Sequence, residues 1–378
     1  MHTFKKSKIK MSGLYLVYNQ GSVYEEEGKS GTMHLMEHLL CKTFDDLRDE
    51  FTKRGIVYNA FTSSQLVVVW FNGLSKQLDN DLKKVLVQRL TGGLSLITKD
   101  AFEKEKMVVL QEYEDNFANP ISGTLINIMR QRYNDDMVIG QREDIENFSY
   151  DDMFLTYDKC FRRPAQIIEI GGDKTNFDFV EYNDEPLSKK RLKYGKYSRP
   201  ISPVPTAEGV SFLTPSAEGV SFLTFLCTKP VNKKDYVTLS IARYIMSNGL
   251  NSPLYEEIRE KRGLVYGIYS DIEAYVNDSI FYTCFQTMPE YVDEAREVYS
   301  NMMNNLEKYM SRQRFEDIIE MYRNKLEQSN IYIHEYFEKF IKGLPDCKLT
   351  PAILDKIAYE DVVEVAKKYM TSYEVFVD

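Results

Sequence analysis

Cysteine and histidine are sparse in this chain of 378 residues, which has five of the first and four of the second. Cys41, Cys160, Cys227, Cys284 and Cys347 are scattered, odd in number and free of any C-x-x-C pair. That argues against both a disulfide framework and a cysteine-based metal site. Reduced, buried thiols in a cytosol-like compartment are expected instead, so the localisation expected is cytoplasmic. No run approaches the length of a membrane-spanning helix, and no membrane partner is expected. The opening stretch MHTFKKSKIKMSGLYLVY contains lysines but no arginine, and no apolar segment long enough for a secretory signal. Positive charge is in deficit: the net charge is −9, which argues against nucleic acid as the main partner. No G-x-S-x-G, phosphate-binding loop or dinucleotide fingerprint occurs. Apolar residues, at 43%, are plentiful enough for sizeable cores, and the length suits two or three domains.

Two of the four histidines fall in His34-Leu35-Met36-Glu37-His38, which reads H-x-x-E-H. At about 100° of turn per residue, all three polar side chains lie on one side of a helix. Two imidazoles one turn apart can grip one zinc ion, and Glu37 can reach a zinc-bound water without being a ligand. His2 and His334 have no partners at metal spacing, and no role is assigned to them.

Catalytic zinc commonly has three protein ligands and one open position. The segment FEKEKMVVLQEYE, from Phe102 to Glu114, has a helical pattern with an apolar patch at Met107, Val108, Val109 and Leu110. Glu105 and Glu112 are seven residues apart and share a face. One could bind the metal while the other holds a ligand histidine. Spacing alone does not choose between them, and Glu103, Glu105, Glu112 and Glu114 also suit a solvated face.

This arrangement resembles the pitrilysin, insulin-degrading enzyme and mitochondrial processing peptidase family of zinc proteases. In that family H-x-x-E-H is followed by a helix with two glutamates seven residues apart. The later glutamate is the third zinc ligand, and the earlier one supports the site. The resemblance puts those roles on Glu112 and Glu105, and Glu112 lies 74 residues beyond His38.

Along the chain, Leu14–Tyr18 suits a strand, and a Glu- and Gly-rich loop leads to the motif helix. A helix is expected over Asp45–Arg54, stopped by Gly55. Ile56–Thr62 and Leu66–Phe71 then form a hairpin, the second run being β-branched and bounded by Ser and Asn-Gly. Asn59-Ala60-Phe61-Thr62 resembles the family's edge strand beside the zinc, where substrate backbone adds as an extra strand. Asn59, Ala60 and Phe61 are the substrate-binding residues this implies, small Ala60 permitting close approach. Helices are expected at Leu78–Arg89, Thr98–Glu114, Leu125–Tyr133 and Tyr150–Phe161, and a strand at Gln166–Ile170. The region before the motif is short for the family, so the first strands of the sheet are expected to be trimmed. Helices between strands fit an α+β domain with helices on one face of the sheet.

A polar stretch from Asp173 to Pro205, basic at Lys189, Lys190, Arg191 and Lys193, places a linker at 191–206 between domains 1–190 and 207–378. AEGVSFLT occurs twice, at Ala207–Thr214 and Ala217–Thr224. Only the second copy runs on into Phe225-Leu226-Cys227, so it should begin the first main strand of the second domain, the first copy being an extra strand or a loop. Strand Val220–Thr228, helices Tyr236–Ser247 and Leu254–Lys261, and paired strands Val265–Ile272 and Ser279–Gln286 should follow. Helices are expected at Tyr291–Met310 and Gln313–Glu327, continuing towards Phe340, then a helix at Tyr359–Met370 and a strand at Glu374–Val377. Pattern and resemblance together give two related α+β domains, each a mostly antiparallel sheet with helices packed on one face.

Leu254 to Tyr266, LYEEIREKRGLVY, resembles a second family motif whose Arg and Tyr face the zinc across the chamber. Arg259 and Tyr266 match it. A guanidinium or phenol there would stabilise the oxyanion of peptide hydrolysis. Arg262 matches too, and Gly263 suits a turn.

The reading implied is a zinc endopeptidase acting on peptides or unfolded protein segments, with Zn2+ held by His34, His38 and Glu112. Glu37 is the general base and Arg259 and Tyr266 complete the catalytic set. The family's larger enzymes enclose substrate between two halves, and this chain matches one half, which implies a homodimer or, alternatively, a heterodimer with another half. The competing reading is a non-catalytic relative acting as a structural, assembly or peptide-binding subunit.

Overall fold

A computed structural model describes residues 1–7, 9–133, 136–183, 210–211, 221–227, 229, 231–274, 279–329, 341 and 350–377. The expected linker 191–206, its basic cluster, His334, Cys347 and the helical continuation towards Phe340 lie outside the described residues. The chain divides into two compact units. One comprises Met1–Asn116, Asp135–Lys190 and Gln328–Leu344; the other comprises Phe117–Asn134, Arg191–Glu327 and Pro345–Asp378.

The first unit is built on a five-stranded sheet of order β1-β5-β2-β4-β3. Its strands are β1 (His2–Lys5), β2 (Met11–Tyr18), β3 (Val57–Thr62), β4 (Val67–Leu74) and β5 (Gln166–Ile170). β1 runs parallel to β5 and every other pair is antiparallel. Strands before the motif are therefore present rather than trimmed, β1 adding a strand beyond the one expected at Leu14–Tyr18. Period-two alternation sends Leu14, Leu16 and Tyr18 to one face with Val67, Val69, Phe71 and Ile167. Tyr15, Val17, Val68, Ile168 and Ile170 occupy the other face, with Ile341 packed among them. Burial on both faces is why Leu14–Tyr18 of β2 reads as an unbroken apolar run.

Helices cover the first face. They are α1 (Thr32–Lys42), α2 (Arg48–Arg54), α3 (Asn80–Gly92), α4 (Lys99–Ala118), α6 (Arg142–Asn147) and α7 (Tyr150–Cys160); α5 (Pro120–Tyr133) falls in the other unit. Gly55, at φ 63°, stops α2 in the left-handed conformation that glycine tolerates. Leu35, Met36, Leu39 and Leu40 seat α1 on the sheet. The expected patch on α4 is split: Val109 and Leu110 are buried, but Met107 and Val108 are exposed, at 64% and 43%. Four consecutive residues span a full helical turn and cannot share one face. Pro120 starts α5 five residues earlier than expected, because proline suits the first helical position, where no N–H is needed.

The second unit repeats the pattern as β6-β10-β7-β9-β8. Here β6 (Val210–Ser211) is parallel to β10 (Tyr373–Val377). β7 (Ser221–Cys227), β8 (Val265–Ala274) and β9 (Ser279–Thr287) complete antiparallel pairings in the same order. The duplicated octapeptide thus flanks β10 on both sides: Val210 and Ser211 of the first copy pair with Phe376 and Val377, which pair on their other side with Thr224 and Leu223 of the second. Val210 and Ser211 of the first copy thus form an extra strand. Phe225 stacks on Tyr299 at 3.8 Å in a core shared by α8 (Lys233–Ser247), α9 (Val292–Asn304) and α13 (Tyr359–Met370). α10 (Leu306–Tyr309), α11 (Arg312–Ser329) and α12 (Pro351–Leu354) complete this unit. The helix expected over Tyr291–Met310 breaks at Asn305, whose side-chain amide donates to Asn301 O at 2.8 Å. Among the described residues no helix is long and apolar enough to cross a membrane.

Candidate metal centre

α1 presents His34 and His38 one turn apart, their rings edge to face with centroids 4.9 Å apart. Glu112 on α4 faces both. Its Oε2 is 3.4 Å from His34 Nε2 and 3.7 Å from His38 Nε2. Both distances exceed normal hydrogen-bond lengths, so the three groups face a common point without satisfying one another. One ligand atom from each of His34, His38 and Glu112 lies within 4.8 Å of the other two. Two imidazoles and a carboxylate are a donor set that suits zinc with one position left open. The residues present therefore fit the metal that the fold family implies.

Glu105 occupies a different place. Its Oε2 is 3.4 Å from His38 Nδ1, behind the ring, and its Oε1 pairs with Lys42 Nζ at 2.7 Å. A carboxylate there can fix the ring orientation and leave Nε2 free for a metal. His34 Nδ1 is buried and has no hydrogen-bond partner among the described residues. The other two glutamates point away: Glu103 pairs with Lys106, and Glu114 with Arg142.

Burial, with the neighbouring His38, lowers the pKa of His34 to about 4. Its imidazole is neutral near pH 7, the form that binds metal. Burial raises Glu37 above the usual carboxylate range. The Thr62 hydrogen bond and His38 oppose that rise, and Glu112 adds to it. Thr62 Oγ1 donates to Glu37 Oε2 at 2.7 Å. Thr62 ends β3, the edge strand of its sheet, so the carboxylate is tied to the strand that carries Asn59, Ala60 and Phe61. Ala60 is buried against the core, while Asn59 is exposed and its Oδ1 accepts from Ala60 N at 2.9 Å.

Arg259 and Tyr266 lie in the second unit and touch each other. The helix expected around Arg259 is a single π-helical turn, Tyr255–Glu260, in which Lys261 N reaches back five residues to Glu256 O at 3.0 Å. Such turns recur at functional sites. Arg259 Cζ is 4.7 Å from the Tyr255 ring centroid and 5.8 Å from that of Tyr266. Tyr266 is the extra residue of a β-bulge between Val265 and Gly267, and its side chain is 75% exposed. A bulge re-aims a side chain in this way. Gly263, at φ 66°, makes the turn between Arg259 and β8.

Sequence reasoning missed the parts played by Thr62, Lys42 and Tyr255. Lys42 lies four residues after His38 and Tyr255 four before Arg259, and that helical spacing was a usable signal. Nothing local pointed Thr62 at Glu37.

Residues 2–140 match the profile described as Insulinase (Peptidase family M16), a span that includes His34, Glu37, His38, Glu105 and Glu112. Residues 147–322, which include Arg259 and Tyr266, match the profile described as Peptidase M16 inactive domain. A Rickettsia felis protein named uncharacterized zinc protease is 22% identical over 390 residues, covering 98% of this chain and 92% of its own. The crystal structure of a protease from Helicobacter pylori superposes with a TM-score of 0.78 at 18% identity, over 100% of this chain and 96% of the other. The periplasmic protease PqqL from Escherichia coli matches 98% of this chain with only 43% of its own, at a TM-score of 0.69 and 15% identity. At such identities the structural likenesses establish the fold. Matched along both of its units, the chain belongs to the M16 peptidase family, the insulinase or pitrilysin family, as a single-half member.

Proposed function

We propose that this protein is a zinc-dependent endopeptidase that hydrolyses peptides or unfolded protein segments held as an extended strand. The observation that carries this reading is the convergence of His34, His38 and Glu112, with Glu37 beside them hydrogen-bonded to the edge strand. The zinc-protease name of the Rickettsia felis relative supports it.

His34, His38 and Glu112 would hold the metal, with Glu105 orienting His38. Bound there, zinc would supply a Lewis acid that polarises the scissile carbonyl and makes water more acidic. Glu37 takes a proton from the attacking water and delivers it to the leaving amine. Its partial burial suits this work, because a raised carboxylate pKa makes it a stronger base. The edge of β3 at Asn59–Phe61 pairs with substrate main chain. Arg259 and Tyr266 stabilise the developing oxyanion. A homodimer, each subunit contributing its Arg259–Tyr266 pair to the other's metal site, would use both of the motifs that the chain carries; a heterodimer with another half is the alternative. A cytoplasmic setting belongs to the same reading, the scattered and odd-numbered cysteines suiting a reducing compartment.

A second reading draws on the inactive-domain description of the profile over 147–322: a structural, assembly or peptide-binding subunit without turnover. Cleavage of a mixed peptide pool, followed by mass spectrometry, separates the two. The wild type should cleave and Glu37→Gln should not; no cleavage by either, with zinc present in both, favours the second reading.

A further inference from the structure

We propose that Glu25 is a positioning residue for the metal-binding helix, capping α1 from the preceding loop and tuning the affinity of His34 and His38 for a dication. This inference rests on the zinc reading above. α1 does not cap itself. Its N-cap residue is Gly31, at φ 90°, with no side chain to offer. A larger residue does not fit, since a Cβ on Gly31 would meet Ile145 Cδ1 at 2.9 Å and Ile139 O at 3.0 Å. The first amides of a helix need acceptors from elsewhere. Glu25 supplies two: Oε2 accepts from Gly31 N at 2.9 Å and Oε1 from Met33 N at 2.7 Å. Met33 immediately precedes His34, so this carboxylate fixes the backbone from which the first candidate ligand projects. Further anchors hold the same loop, with Ser30 N donating to Asp144 Oδ2 at 2.8 Å and Ser30 Oγ to Asp136 Oδ2 at 3.0 Å.

Charge gives the cap a second effect. The N-terminal end of a helix is partially positive, which disfavours a cation bound within its first turns. His34 lies in the first turn of α1. The negative charge of Glu25 offsets that end of the dipole next to the metal position. Glutamine keeps one of the two acceptor oxygens and loses the charge, whereas alanine loses both acceptors and the charge.

The test is zinc affinity of the full chain, by competition with a chromogenic chelator, alongside thermal unfolding of the metal-free protein. Glu25→Gln, which keeps one of the two acceptors, should melt between Glu25→Ala and the wild type without metal and bind zinc about fivefold to tenfold more weakly than the wild type. Glu25→Ala should melt lower and bind more weakly still. Equal zinc affinity in wild type and Glu25→Gln would overturn the electrostatic role, and equal affinity in all three would overturn the proposal entirely. A wild type that binds no zinc would defeat the zinc reading itself, and the wild-type titration alone shows that outcome.

Discussion

Thr62 and Glu37 are joined by a 2.7 Å hydrogen bond from the Thr62 hydroxyl to Glu37 Oε2, linking the edge of the sheet to the metal helix. The bond orients a half-buried carboxylate that would otherwise be free to turn at χ3. Replacing Thr62 by valine keeps the shape and the strand propensity but removes the donor. A hydrogen bond to a charged group contributes about 1.5–3 kcal/mol, so cleavage should slow about tenfold to a hundredfold while zinc content is unchanged. Thr62→Ser should recover most of the rate. Unchanged turnover in Thr62→Val would show that Glu37 does not depend on this contact.

Arg259 lies beside two tyrosine rings, Tyr255 and Tyr266, and its guanidinium donates to the Tyr255 hydroxyl. Lysine keeps the charge and loses the planar fork. Arg259→Lys should lower kcat about tenfold to a hundredfold, with zinc stoichiometry and thermal unfolding close to the wild type. A loss confined to melting temperature would assign the pair to structure alone.

How much of this was legible in the sequence differs from element to element. His34, Glu37 and His38 share a helix face because their spacing is helical, and β4 declared itself through Val67, Val68 and Val69. The choice between Glu105 and Glu112 was invisible to spacing, since residues seven apart overlie one another. Only the fold sets one before the imidazole Nε2 atoms and the other behind His38. β1 was missed because His2-Thr3-Phe4-Lys5 shows no alternation and its partner, β5, is more than 160 residues away in sequence. The π-helical turn was missed because its sequence also suits an α-helix. Arg259 and Tyr266 were found through the family motif; nothing in their own pattern distinguishes them.

Two glycines give contrasting expectations for stability. A Cβ on Gly140, at φ 70°, would meet Gly31 Cα and N at 2.2 Å, at the foot of the metal helix. Gly140→Ala should destabilise by about 3–5 kcal/mol, combining left-handed strain with a backbone clash. Gly28, at φ 77°, has nothing within 4 Å of that position, and Gly28→Ala should cost about 1–2 kcal/mol. Chemical denaturation of both variants checks the difference.

A buried network sets the acid limit of the first unit. Glu169 is fully buried, with Lys83 Nζ at 2.9 Å, His2 Nε2 at 3.1 Å and Thr175 N at 2.9 Å. Burial alone would raise its pKa; the hydrogen bonds from His2 and Thr175 and the Lys83 charge outweigh that and hold it at about 2. A carboxylate depressed in the folded state stabilises fully above its unfolded value, near 4.5, and that contribution fades as pH falls towards 2. Stability measured by urea unfolding should therefore drop by about 3 kcal/mol across that window. Glu169→Gln should be destabilised at pH 7 by about 3–5 kcal/mol, because Lys83 is left charged and unpaired. Its stability should also lose much of the acid dependence. A wild-type profile flat between pH 5 and about 2.5 would contradict the network's role.

The central claim is that His34, His38 and Glu112 bind one metal ion together, and zinc content tests it most directly. Elemental analysis should find one zinc per chain in the wild type and in Glu37→Gln, and a large loss in His38→Ala and in Glu112→Gln. Zinc retained at full stoichiometry in both ligand variants, or absent from the wild type, would contradict the assignment.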